Sequence, residues 1–346
     1  MSFKVNIGEW SELYVFFKVL ADGKLYGADE NLNKLQNVFY RIIQAIREDK
    51  NYKIEENFVI ISQGGEQLGK ISVQELMVET EIVLENIKNG SGTFEMKGSE
   101  PFFRKMLIQN IKAPSTTKGD LTLQIHDQFT GTEPEISFSI KSYIGAKPTL
   151  LNTSGETKFT FRIPNFNIED LEVINAIDSR NKLMDRFQML ENKDYKLVYE
   201  HASGNIFEHN LKMLDFRLPE ILGKLAMRSY FVKGKAMNAV VDDFCATFFE
   251  DKTLIEHKVR DLLTAIALGM VPKTPWTGLD EATGGYIVVK EDGEVLCYHI
   301  YDRNRLREYL YTHTKFDSPS TTKYKYGSLY EIDDEVFIDV AVQIRF

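Results

Sequence analysis

Two residues of opposite charge, Asp120 and Lys141, flank a pair of alternating stretches within residues 118–142, KGDLTLQIHDQFTGTEPEISFSIKS. Leu121, Leu123 and Ile125 alternate with Thr122, Gln124 and His126. Ile136, Phe138 and Ile140 alternate with Ser137, Ser139 and Lys141, again the period of a half-buried strand. Gly131 and Pro134 break the segment between them. A turn centred near Thr130 pairs Leu121 with Ile140, Leu123 with Phe138 and Ile125 with Ile136. It also sets Asp120 opposite Lys141 and Thr122 opposite Ser139. A slip of one residue would put apolar side chains against polar ones along the whole hairpin. A carboxylate beside an ammonium can hold a hard cation and offset negative charge on a bound group. The plainer alternative is a turn-ending aspartate and a strand-end ion pair, worth roughly a few tenths of a kcal/mol.

This arrangement resembles the core of the PD-(D/E)xK nucleases, which hold an aspartate at the start of one strand and an acid-x-lysine at the end of the next. Phosphodiester hydrolysis there uses Mg²⁺, which polarises the phosphate and lowers the pKa of water. It prefers oxygen ligands. The resemblance implies that Asp120 holds the metal and that Lys141 orients the attacking hydroxide. One position departs from the pattern: Ser139 stands where the second acid is expected. Some of these nucleases point a glutamate of the first helix at the metal, so Glu12, with Glu9 second, is the expected replacement. Glu156 is a weaker candidate. The peptide carbonyl of Ile140, next to Ser139, is expected to complete the shell.

The elements that must position these groups can be read along the chain. Residues 8–23 read as the first helix, with Leu13, Phe16, Phe17 and Leu20 in one stripe, Asn6 as cap and Gly23 as stop. Glu9 and Glu12 lie one turn apart on it. In the simpler reading both are first-turn acids that favour the helix dipole. Residues 24–50 read as a second helix on Leu32, Leu35, Val38, Phe39, Ile42 and Ile46. Residues 58–62 read as a strand. Residues 73–88 read as a helix capped by Ser72 with Glu75 three residues on, and Glu75, Glu79, Glu81 and Glu85 as its solvated face. Residues 89–98 read as a loop and 102–111 as a short helix, with 114–119 leading into the hairpin. Residues 143–160 read as a loop and 157–163 as a strand. Residues 164–230 read as mainly helical (183–190, then 206–228), and 252–270 as a further helix, followed by a loop over 272–285. Residues 285–301, GYIVVKEDGEVLCYHIY, read as a hairpin with a two-residue turn at Asp292-Gly293, and their near-continuous apolar character implies burial on both faces.

Composition narrows the function class. The formal charge of −9 argues against a simple nucleic-acid coat, although a local basic surface is enough for a nuclease. No apolar run approaches the roughly 20 residues that span a bilayer, and MSFKVNIGEW is not a signal peptide. Cys245 and Cys297 are expected to be reduced core residues, so the expected setting is cytoplasmic.

Three segments carry a closer likeness. GEWSELYVFFKVLADGKLYGAD, FSIKSYIGAKPTLLNTSG and GGYIVVKEDGEVLCYHIYDRNRLREYLYTHTKFDSPSTTKYKYG resemble the HpaII family of type II restriction endonucleases. The resemblance implies a mixed β-sheet flanked by helices around a PD-(D/E)xK core. It implies Mg²⁺-dependent cleavage of double-stranded DNA at a short palindrome, unmethylated CCGG, with Ser139 as a family habit. A cognate DNA methyltransferase is then a genetic, not a physical, partner, and a palindromic target favours a two-fold homodimer. The expected division is a catalytic half over 1–165 and a DNA-contacting half over 166–346 that includes the 285–301 hairpin. Base or phosphate contacts are expected from Arg303, Asn304, Arg305 and Arg307 and from the run 321–326, TTKYKY, with Lys323 and Lys325. For each of these the bland reading is a solvated surface. His126 could act as a base, but it lies about 20 Å along the strand from Asp120 at roughly 3.3 Å per residue. The rival readings are a related nuclease with another target and a non-catalytic DNA-binding or interaction module.

Overall fold

A computed structural model of the chain describes residues 3–96, 98–111, 119–128 and 130–346. The leader expected at 114–119 therefore falls mostly outside the described residues, as does Lys118. The first part of the chain carries β1 (Lys4–Asn6), α1 (Ile7–Asp22), β2 (Lys24–Ala28), β3 (Lys34–Arg47), β4 (Lys50–Glu55), β5 (Phe58–Gln63), β6 (Glu66–Ser72), α2 (Val73–Asn89), β7 (Thr93–Glu95), α3 (Glu100–Lys105), β8 (Leu121–His126) and β9 (Glu135–Ser142). The middle carries β10 (Thr149–Leu151), β11 (Lys158–Ile163), α4 (Glu169–Asn175), α5 (Lys182–Asn192), β12 (Val198–Ala202), α6 (Asn205–Leu214), α7 (Leu218–Arg228), α8 (Met237–Phe248) and α9 (Lys252–Leu268). The last part carries β13 (Gly285–Val289), β14 (Val295–His299), α10 (Arg303–His313), β15 (Lys315–Phe316), α11 (Thr321–Tyr324), β16 (Leu329–Ile332), β17 (Glu335–Ala341) and β18 (Ile344–Arg345).

These elements form two compact units that are not sequential halves. One is Met1–Pro148 with Asp280–Tyr309, and the other is Thr149–Leu279 with Leu310–Phe346. The hairpin β13–β14, expected in the second half, thus returns to the first unit.

The first unit is built on a nine-stranded mixed sheet in the order β2-β14-β13-β9-β8-β3-β4-β5-β6. Among the described residues only β13–β9 and β14–β2 pair in parallel. Because β2 also pairs with β3, the strands β2, β14, β13, β9, β8 and β3 close into a ring. All five residues of β13 are buried, as its apolar run requires. The apolar side of α1, with Leu13, Phe16, Phe17 and Leu20, packs into one core with Leu121, Leu123, Phe138 and Ile140. Burial of these side chains is the main force that seats α1 on the sheet. Cys297, and Cys245 of the second unit, are buried free thiols.

The second unit holds a four-stranded sheet, β12-β11-β17-β16, and a three-stranded one, β10-β18-β15. Helices α6 to α9 pack in sequence there through α6–α7, α7–α8 and α8–α9 contacts. The helix expected over 206–228 is two helices, interrupted at Asp215, with Pro219 in the first turn of α7. The strands β7, β10 and β12 lie in segments expected to be loop or helix, and α3 is shorter than the helix expected over 102–111.

Three expectations in the first unit need correction. Residues 24–50 are strands, not a helix. Of the expected helical stripe only Ile42 is buried, and β3 carries a bulge beyond it: its register against β8 shifts between Ile42 and Gln44. Tyr40 and Ile42 are buried before the bulge, and Ala45 and Arg47 after it. Second, the β13–β14 turn has three residues, Glu291 to Gly293, because Lys290 N–H donates to Glu294 C=O at 2.9 Å. Third, β8 and β9 pair Leu121 with Phe138 and Leu123 with Ile136, two residues from the expected register.

Gly285 starts β13 at φ +118°, and a Cβ there would stand 2.0 Å from the Tyr298 carbonyl oxygen. Both the backbone angle and the close approach demand glycine. Gly285→Ala is expected to lower stability by about 3 kcal/mol. An unchanged urea midpoint would contradict this.

Candidate nuclease centre

Helix α1 starts at a capping box. Asn6 Oδ1 accepts from Glu9 N–H and Glu9 Oε2 accepts from Asn6 N–H, each at 3.0 Å. Glu9 thus serves the helix end directly. Glu12, three residues on, is partly buried. Its carboxyl is pushed up to about 8, first by burial and then by the charge of Asp120, while Arg47 and Lys141 pull the other way. Glu12, Asp120, Lys141 and Arg47 therefore share one electrostatic field.

Asp120 immediately precedes β8. Its N–H donates to the Phe138 carbonyl at 2.9 Å. Its Oδ2 accepts from the Ile140 N–H at 2.7 Å and, at a longer 3.4 Å, from the Ser139 hydroxyl. The carboxylate thus continues the hydrogen-bond ladder of β9 where β8 stops. In an extended strand the N–H and C=O of one residue face the same edge. The Ile140 carbonyl consequently faces the edge that Asp120 occupies. Asp120 meets the peptide N–H of Ile140, rather than standing across from Lys141 as the expected register had it.

The donor set is two carboxylates and a peptide carbonyl, all oxygen, which suits a hard divalent cation. Among the described residues there is no cluster of three or more His, Cys, Asp or Glu side chains that could hold a metal.

Arg47 was not legible as part of this centre. Its Nη2 donates to the carbonyls of Asn110 at 2.8 Å and Ile111 at 2.5 Å. The neighbouring Glu48 accepts from the N–H groups of Gln109 and Asn110. The pair clamps the segment that follows α3. The available signal was an arginine in phase with Ala45 on the buried side of β3, readable only once the bulge is counted.

The other candidates have different surroundings. His126 is partly buried at the far end of β8, with Nδ1 3.5 Å from Glu133. Glu156 belongs to the second unit, in a 3₁₀ turn at Gly155–Thr157 where it packs against Gly204. At the start of α10, Arg303 pairs with Asp280, and Arg305 with Asp302 at 2.7 Å. Asn304 is exposed and Arg307 partly buried. Lys323 and Lys325 are exposed, Lys323 over the Tyr324 ring. These two lysines lie in the second unit, whereas the three arginines lie in the first.

Comparison with known proteins identifies the family. The chain is 36% identical to the type II restriction enzyme HpaII of Haemophilus parainfluenzae, over 99% of each chain. No solved structure matches it. No helix among the described residues is long and apolar enough to cross a membrane. The family model of the HpaII restriction endonuclease matches residues 6–346, and with it the chain belongs to that family, as a type II site-specific deoxyribonuclease acting on double-stranded DNA.

Proposed function

We propose that the enzyme cuts unmethylated CCGG by hydrolysis in a PD-(D/E)xK-type centre built from Glu12, Asp120, the Ile140 carbonyl and Lys141. The observation that carries this reading is the bond from the Ile140 peptide to Asp120, which brings the acid of one strand onto the residue before the lysine of the next. Enzymes of this class generally work with a divalent metal, and we assign Mg²⁺. When bound, it polarises the phosphate and lowers the pKa of water. Asp120 and Glu12 supply the charged oxygens. The Ile140 N–H fixes which way Asp120 points. Lys141 stabilises the hydroxide and the charge that develops on the phosphate. Attack is direct, without a covalent enzyme intermediate. Glu9, held by the helix cap, is the second choice for the acid. Ser139 orients Asp120 and is not itself a ligand.

The likeness to the HpaII family supports the target, and a palindrome supports a two-fold homodimer and a methyltransferase that shares the same sequence. Arg303, Asn304, Arg305, Arg307, Lys323 and Lys325 are the candidates for DNA contact. Arg303 and Arg305 would first have to leave their carboxylate partners.

End-mapping of a methyl-free plasmid after incubation with Mg²⁺ tests the assignment. Discrete ends at CCGG are the expected result. Discrete ends at another sequence would keep the centre and discard the target.

A further inference from the structure

Tyr286 lies wholly buried at the second position of β13. Its register partners are Ser139 on β9 and Tyr298 on β14. Directly opposed residues of neighbouring strands point to the same face of a sheet. Ser139, Tyr286 and Tyr298 therefore form a transverse row of hydroxyls across three strands, and the row begins at the residue that touches Asp120. Tyr298 is accounted for: its hydroxyl donates to the Asp29 carbonyl at 2.7 Å, and its ring stacks on Tyr309 with centroids 4.9 Å apart. Tyr309 in turn shares a 2.7 Å hydrogen bond with the Tyr143 hydroxyl. The Tyr286 hydroxyl differs, because among the described residues nothing pairs with it.

A buried tyrosine hydroxyl without a partner costs stability, and a neutral isostere, phenylalanine, would avoid that cost. Burial, with Tyr143 and Asp120 nearby, keeps the phenol protonated, so that it remains a donor. The charge it senses is that of the candidate metal-binding aspartate. A donor at the back of a ligating carboxylate fixes its rotamer and tunes its affinity, as outer-sphere hydrogen bonds do in metal sites generally. A single water with polar partners on both sides can carry such a bond.

We propose that Tyr286 is a positioning residue of the nuclease centre, its hydroxyl acting through one bound water to hold Asp120 and Ser139 in the orientation that receives the metal. The inference rests on the assignment of Asp120 as a ligand. It accounts for a phenol at a fully buried strand position where phenylalanine would pack equally well. It also accounts for Ser139: with a hydroxyl in place of an acid, the orienting bonds around Asp120 come from Ser139, Ile140 and Tyr286.

Binding of Mn²⁺ to the full-length, DNA-free protein, followed by electron paramagnetic resonance, tests this without relying on cleavage. Tyr286→Phe is expected to weaken Mn²⁺ binding about tenfold while the melting temperature stays the same or rises. Tyr298→Phe, one strand further along the row, is expected to do the opposite: lower the melting temperature and leave Mn²⁺ affinity unchanged. Equal Mn²⁺ affinity for Tyr286→Phe and the natural chain would overturn the proposal, as would a loss of affinity shared equally by Tyr298→Phe. Asp120→Asn separates the two levels. If it removes Mn²⁺ binding while Tyr286→Phe does not, only the role of Tyr286 fails. If it too binds Mn²⁺ normally, the ligand assignment fails and the role of Tyr286 with it.

Discussion

Replacing Lys141 by alanine is expected to lower the rate of DNA cleavage by about 10³-fold or more while DNA affinity stays within about threefold. Lys141 follows directly on Ile140, whose N–H donates to Asp120, and its charge acts on Glu12. A single ammonium placed where negative charge develops stabilises the transition state more than the ground state, so its loss falls on the chemical step. Affinity for duplex DNA comes from many phosphate contacts, of which one lysine is a small part. Lys141→Arg is not a conservative rescue, because a planar fork does not reproduce a compact ammonium. Single-turnover cleavage with the DNA-bound fraction measured in Ca²⁺ separates the two effects. Natural single-turnover rates in Lys141→Ala would remove the lysine from the mechanism.

What could be read in advance was mostly local. The caps at Asn6 and Ser72 are three-residue patterns, and both form: Asn6 with Glu9, and Ser72 Oγ accepting from Glu75 N–H. The two-sided burial of β13 follows from composition alone. The hairpin register illustrates the limit. Matching apolar to apolar excludes a slip of one residue, but a slip of two preserves every match. The choice was made by the loop, where Asp127 N–H donates to the Thr132 carbonyl and the Asp127 carboxylate accepts from the Thr130 and Tyr301 hydroxyls. Tyr301 is 174 residues away, so no local pattern could weigh it. Residues 24–50 misled for another reason: the apolar residues at helical spacing there are mostly half-buried, while the buried side of β3 is carried by Tyr40, Ile42, Ala45 and Arg47, two of them set out of step by a bulge. Arg47 and Tyr286 were out of reach because their significance lies in partners on other strands. The candidate acid was reachable because α1 is a regular helix, buried nearly all round, in which a glutamate next to Leu13 stands out.

That acid makes the second large prediction, in which stability and activity move in opposite directions. The Glu12 carboxyl titrates at about 8 in the folded, metal-free chain against an ordinary value of 4.5. Because the folded value is raised, the folded state binds the extra proton between these two pH values. Stability is then highest below about 4.5 and falls as pH rises towards 8, by at most about 1.4 kcal/mol per pH unit. Above 8 the loss is complete and the curve flattens. Glu12→Gln removes this slope. The variant is expected to gain on the natural chain steadily from pH 5 to pH 8 in metal-free buffer, by about 3 kcal/mol at the top of that range. The same change should reduce cleavage by about 10³-fold, since glutamine carries no charge to hold a cation. A ligating carboxylate that is protonated at neutral pH must release its proton when a cation binds. Apparent Mg²⁺ affinity of the natural enzyme should therefore rise with pH up to about 8 and level off above it. Urea unfolding of both chains across pH 5 to 9, in chelator, reads the first effect, and Mg²⁺ titration of cleavage reads the second. Parallel stability curves for the two chains would mean that Glu12 is not the strained acid of this centre. A strained carboxylate that destabilises the empty fold is what a site built for a cation should contain, because the repulsion between Glu12 and Asp120 turns into affinity once a double positive charge lies between them.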